Sequence, residues 1–108
     1  MKYFSLNKQS PIVNFKEATI LGQAPDKGLY FPEHIPVHAP NFIDQLKNLS
    51  KEEIAFRVME PFVGDVIPAD ELYRIVCETV NFSFPLKWIH STIASLELYH
   101  GPTFAFKD

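Results

Sequence analysis

At 108 residues and 12.4 kDa, the chain is one domain or a piece of a larger one. With 46% hydrophobic and 21% charged residues it can fill a core, which excludes disorder and low complexity. A net charge of -3 offers no basic footprint for nucleic acid, the single cysteine forms no internal disulfide, and no apolar run reaches membrane-span length. The composition therefore predicts a cytoplasmic protein with neither nucleic acid nor membrane as a partner.

Ten phenylalanines and nine prolines point to short elements, frequent turns and large side chains between them. Lys2 to Leu6 reads as a strand, with Tyr3 and Ser5 on one face and Phe4 and Leu6 on the other. Ser10-Pro11 breaks it. Asn14-Phe15-Lys16-Glu17 has the spacing of a capping box, so a short helix should follow and end near Gly22. Four prolines between residues 25 and 40 forbid a continuous helix there, leaving a loop with a short strand at 28–31. Helical patterning resumes at Asn41, with Phe42, Ile43 and Leu46 on one face. Ser50-Lys51-Glu52-Glu53 is a second capping box, followed by Ile54, Val58 and Phe62 at steps of four; Pro61 should end or kink this helix near Glu60. Pro68 suits a first helical turn, and Leu72, Ile75, Val76 and Thr79 draw the stripe of a longer helix over 69–82. Beyond it, residues 87–89 read as an extended lead-in and 94–99 as a strand. His100-Gly101-Pro102-Thr103 has the composition of a sharp turn. Phe104 to Asp108 opens a further element and the chain stops, as a fragment would. The predicted fold is α+β, three or four helices with a few short strands. Its predicted core is Phe42, Ile54, Val58, Leu72, Ile75, Val76 and Leu96.

Most chemistry-bearing side chains read better as structure. His34 and His38 are four apart, but Pro36 prevents a helix from stacking them, and with one cysteine elsewhere no zinc-type cluster forms, so no metal is expected. Cys77 lies beside the apolar stripe of the 69–82 helix and reads as a buried small hydrophobe. The spacing of Asp26, Asp65 and Asp70 brings no two together as an acid and base, and Glu52, Glu53 and Glu71 suit helix first turns. Lys107 differs. It follows a strand, a Gly-Pro turn and the apolar run Phe104-Ala105-Phe106, which would favour a neutral, nucleophilic amine near the place where open α/β sheets bind ligands.

The segment Leu96-Glu97-Leu98-Tyr99-His100-Gly101-Pro102-Thr103-Phe104-Ala105-Phe106-Lys107-Asp108 resembles the cofactor-lysine segment of the threonine synthase family, whose usual form is L-E-L-F/Y-H-G-P-T-x-A-F-K-D. Ala105 favours this family over the related fold-type II dehydratases, which have P-T-x-S-x-K-D. Phe15 to Ala18 with Gly22 to Pro32 resembles the family's F-x-E-A and G-x-A-P-D-G-G-L-Y-x-P, and Pro61 to Pro68 its P-F-V/L-G-D-x-I-P. Lys27 replaces the first of the paired glycines, and Leu6 stands where threonine is frequent.

The resemblance implies a division into an N-terminal accessory domain (1–85) and the start of a fold-type II catalytic domain (86–108), truncated after the cofactor lysine. It implies a pyridoxal 5'-phosphate enzyme of threonine biosynthesis, a lyase that turns O-phospho-L-homoserine and water into L-threonine and phosphate. Lys107 would hold the cofactor and shuttle protons, Phe106 would pack against the cofactor ring, and Thr103 would face the substrate. Residues 1 to about 85 would shape the cleft, and the isolated fragment would be inactive. Two rivals are a threonine-synthase-like phospho-lyase that yields a keto acid, and a non-catalytic interaction module with the accessory-domain fold.

Overall fold

A computed structural model describes residues 1–105. Strand β1 (Lys2–Ser5) is the centre of a three-stranded antiparallel sheet ordered β2-β1-β3, flanked by β2 (Val13–Asn14) and β3 (Tyr30–Pro32). Tyr3 faces Val13 on one side and Pro32 on the other, and Ser5 faces Tyr30. The expected alternation holds: Tyr3 and Ser5 are buried, Phe4 half-buried and Leu6 exposed. The sequence gives β2 no signal beyond a chain break. The strand expected at 28–31 lies two residues later and includes Pro32, which an edge strand tolerates because its missing N–H costs no ladder bond.

Helix α1 (Phe15–Leu21) starts with the predicted capping box, Asn14 Oδ1 accepting from the Glu17 amide and Glu17 Oε2 from the Asn14 amide. Its end is Gly22, at φ +68, whose N–H still donates to Ala18 O. Helix α2 (Phe42–Gln45) is a single turn continued by a 3-10 turn at Leu46–Asn48, and Asn41 makes no side-chain cap. Ile43 does not share the inner face as expected but is exposed; Phe42, Leu46 and Leu49 are half-buried.

Helix α3 (Lys51–Val63) carries the second capping box, Ser50 with Glu53. Contrary to expectation it runs past Pro61 to Val63. The proline sits in the last turn, where it forfeits one N–H bond while Gly64 N–H still reaches Glu60 O at 2.8 Å. The nearby Phe62 carbonyl accepts from the Tyr3 hydroxyl at 3.0 Å, a tertiary bond between helix end and sheet. Helix α4 (Ala69–Thr79) begins after Pro68, which is its N-cap rather than part of its first turn. It stops three residues short of the expected 82. Thr79 Oγ1 bonds back to Ile75 O, and β-branched Val80 and then Asn81 favour other conformations.

Val63, Leu72 and Val76 form the buried centre, with Phe15, Phe56, Phe62, Ile67 and Val80 packed on it. Of the expected core, Leu72 and Val76 are buried, Phe42 and Ile54 half-buried, and Val58, Ile75 and Leu96 exposed. The exposed positions lie where α3 and α4 meet only each other, or on the final hairpin. That hairpin pairs β4 (Leu86–His90) with β5 (Ile93–Leu96), so the expected lead-in is a true strand and the expected strand ends at Leu96 instead of Tyr99. The radius of gyration is 16.8 Å, against about 13 Å for a compact chain of this length.

Candidate active-site segment

The chain leaves β5 at Leu96 and runs irregularly to Gly101. Glu97 is fixed at both ends of its residue. Its amide donates to Pro85 O at 3.0 Å, just ahead of β4, and its half-buried carboxylate accepts from His100 Nε2 at 2.9 Å. The hydrogen bond from His100 holds the Glu97 carboxyl below the usual range, with help from Tyr99 and Lys87. Bonding to the same carboxylate pushes the Tyr99 phenol up. The Tyr99 and His100 rings lie 4.6 Å apart.

The turn expected at residues 100–103 is present. Gly101 is buried, and Phe104 N–H closes onto Gly101 O at 3.1 Å with Phe104 at φ +56 and its side chain exposed. Thr103 lies in this turn at the surface. Phe106 and Lys107, the other two predicted site residues, lie outside the described residues. Glu97 had no predicted role, because an i,i+3 spacing marks a pair only on a helix and this segment is not one.

A second polar cluster surrounds Asp26. The Asp26 carboxylate accepts from Ser5 Oγ, from the Gly28 amide at 2.9 Å and from the Gln9 amide at 3.0 Å, while its own amide donates to Ser10 Oγ. These bonds, that from Ser5 foremost, push the Asp26 pKa down to about 2. A Cβ on Gly28 would lie 2.6 Å from Ser5 Oγ, so this stretch needs glycine to approach β1 so closely. Three of these bonds join the 5–10 region to the 22–30 loop and the Gly28 bond closes the loop on itself, so the cluster is a structural clasp.

His38 stacks on Phe42 with ring centroids 4.3 Å apart. Among the described residues, no group of three His, Cys, Asp or Glu side chains is placed to hold a metal ion. Cys77 is half-buried rather than fully buried. No described helix is long and apolar enough to cross a membrane.

Sheet, helical pair and trailing hairpin define a mixed helix-and-strand unit. The family described as threonine synthase N terminus matches residues 2–80, and the chain belongs to it. Threonine synthase from Pseudomonas aeruginosa is 40% identical over 113 residues, matching 100% of this chain and 24% of its own length; the Escherichia coli protein is 33% identical, covering 100% and 25%. The crystal structure of threonine synthase from Brucella melitensis, which has PLP bound, superposes with a TM-score of 0.91 at 38% identity, over 99% of this chain and 24% of that one. For the Escherichia coli structure the TM-score is 0.90. The chain thus spans about a quarter of the length of the relatives it matches.

Proposed function

We propose that the protein carrying this chain is a cytoplasmic, pyridoxal-phosphate-dependent threonine synthase that converts O-phospho-L-homoserine and water to L-threonine and inorganic phosphate. The observation that carries this reading is the thirteen-residue segment Leu96 to Asp108, with Lys107 near its end, in a chain matched over its whole length by threonine synthases. The formed Gly101–Phe104 turn supports it, because it gives the lysine segment a defined start. The match to the N-terminal family ends at residue 80 and a separate sheet begins at Leu86, which supports an accessory domain over 1–85 and the opening of a catalytic domain over 86–108.

The donor chemistry fits the cofactor: Lys107 supplies a primary amine, and the apolar run Phe104-Ala105-Phe106 precedes it. Bound there, pyridoxal phosphate supplies an electron sink for the charge left when protons depart from the substrate. Lys107 would hold the cofactor through its amine and, when that amine is free, would carry protons to and from the substrate carbons. Phe106 would pack against the ring and Thr103 would face the substrate. Groups that bind the two phosphates come from outside these 108 residues, so the isolated chain turns over nothing.

The test is product analysis on the full-length protein with O-phospho-L-homoserine and pyridoxal phosphate. Threonine and phosphate are expected from the unsubstituted protein, and only background from Lys107→Ala. Phosphate with a keto acid would make it a phospho-lyase, and no product would leave a non-catalytic interaction module.

A further inference from the structure

Glu71 and Glu78 pair with Arg74 along α4, where the helical backbone already brings residues three and four apart together. Such exposed pairs add little. The Glu97–His100 pair has the same sequence spacing but lies in a segment that is neither helix nor strand. There the backbone does not supply the geometry, so the side-chain bridge adds a constraint between residues 97 and 100 that no helix or strand already imposes. The bridge is anchored on the hairpin side by the Glu97 amide on Pro85 O, and on the other side it abuts buried Gly101, where the turn begins. Tyr99, bonded to the same carboxylate, and Lys87 from β4 are the other ionisable groups facing Glu97.

Resting on the function proposed above, we infer that Glu97 is a positioning residue: acting through His100, it fixes the Gly101–Phe104 turn and thereby the approach of Lys107 to the cofactor. Glu97 touches neither substrate nor cofactor in this scheme. Its loss loosens the lysine segment without removing any reacting group, so it lowers the rate of chemistry and of cofactor attachment more than substrate binding.

The experiment uses the full-length protein and the variants Glu97→Ala, Glu97→Gln, His100→Ala and the Glu97→Ala/His100→Ala double variant. Attachment of pyridoxal phosphate to Lys107 is read by borohydride trapping at timed intervals and peptide mass spectrometry; kcat and KM are read from threonine formation. Glu97→Ala and His100→Ala should each slow attachment and lower kcat by about tenfold with KM within about twofold, and the double variant should be no worse than the worse single one. Glu97→Gln, which keeps an acceptor for His100, should recover most of the loss. Multiplying losses in the double variant, or unchanged attachment and kcat in Glu97→Ala, would overturn the inference. If Glu97→Ala does not fold, Glu97→Gln and His100→Ala decide it: His100→Ala with unsubstituted rates, or Glu97→Gln no better than His100→Ala, overturns it. Normal attachment without threonine formation in the unsubstituted protein would overturn the proposed function alone, since attachment rates still read the role of Glu97.

Discussion

Lys27 stands at φ +66, a left-handed backbone that favours glycine, at the position where the threonine synthase motif has the first of two glycines. Its amide donates to Ala24 O and its carbonyl accepts from Gln23 Nε2, so the loop cannot relax to a cheaper conformation without losing both bonds. Lys27→Gly should therefore stabilise the chain by about 1 kcal/mol, read from the urea midpoint. Asp26 beside it sets a pH dependence. The folded chain holds this carboxyl down at about 2 against an ordinary 3.8, so proton uptake accompanies unfolding between those values. The stabilisation is complete above about pH 4 and is lost as pH falls towards 2; Asp26→Asn should flatten that part of the stability profile in denaturation series across pH 2 to 6. The Lys27 position was marked by the motif, but the Asp26 cluster was not legible from local pattern. Ser5 and Asp26 are 21 residues apart, and only the pairing of β1 with β3 brings them together.

Both capping boxes were legible because the spacing of Asn14 with Glu17 and of Ser50 with Glu53 is itself the bonding geometry. Ser50→Ala should cost about 1 kcal/mol of stability by leaving the Glu53 amide without its acceptor, checked by the shift in thermal midpoint. Elements whose limits depend on partners were less legible. The β4–β5 hairpin turns through Ser91-Thr92, which lacks the glycine or asparagine that marks tight hairpins, and its strands were read separately. Periodicity put Val58 and Ile75 on the apolar faces of α3 and α4, but the two helices bury only Val63, Leu72 and Val76 between themselves and α1. For the candidate site, the turn and its lysine were readable from the motif, whereas the Glu97 bridge emerged only with the path of the chain.

The molecule measures 50 × 27 × 27 Å, drawn out by unequal packing along its length. The sheet is tied to the end of α3 by the Tyr3–Phe62 bond and to α1 by Tyr3 against Phe15, and the Met1 amino group pairs with Asp65 in the connection between α3 and α4. The hairpin has every β4 residue exposed, including Trp88 and Ile89. Local opening should follow that contrast: β4 and β5 amides should exchange at least about 100-fold faster than those in the middle of α3 and α4, measured by hydrogen exchange on the 108-residue chain. Equal protection would mean that the hairpin is as firmly seated as the helices.

The strand at the centre of the first sheet precedes both of its partners along the chain. β1 has partners on both edges, yet β2 and β3 are encoded after it, and the carbonyl that receives the Tyr3 hydroxyl belongs to residue 62. During translation β1 therefore waits. Its sheet completes only after Pro32 has left the ribosome, and its bond to the helices forms only once α3 has followed. Folding of this unit is timed by its middle, and its opening residues are among the last to be secured.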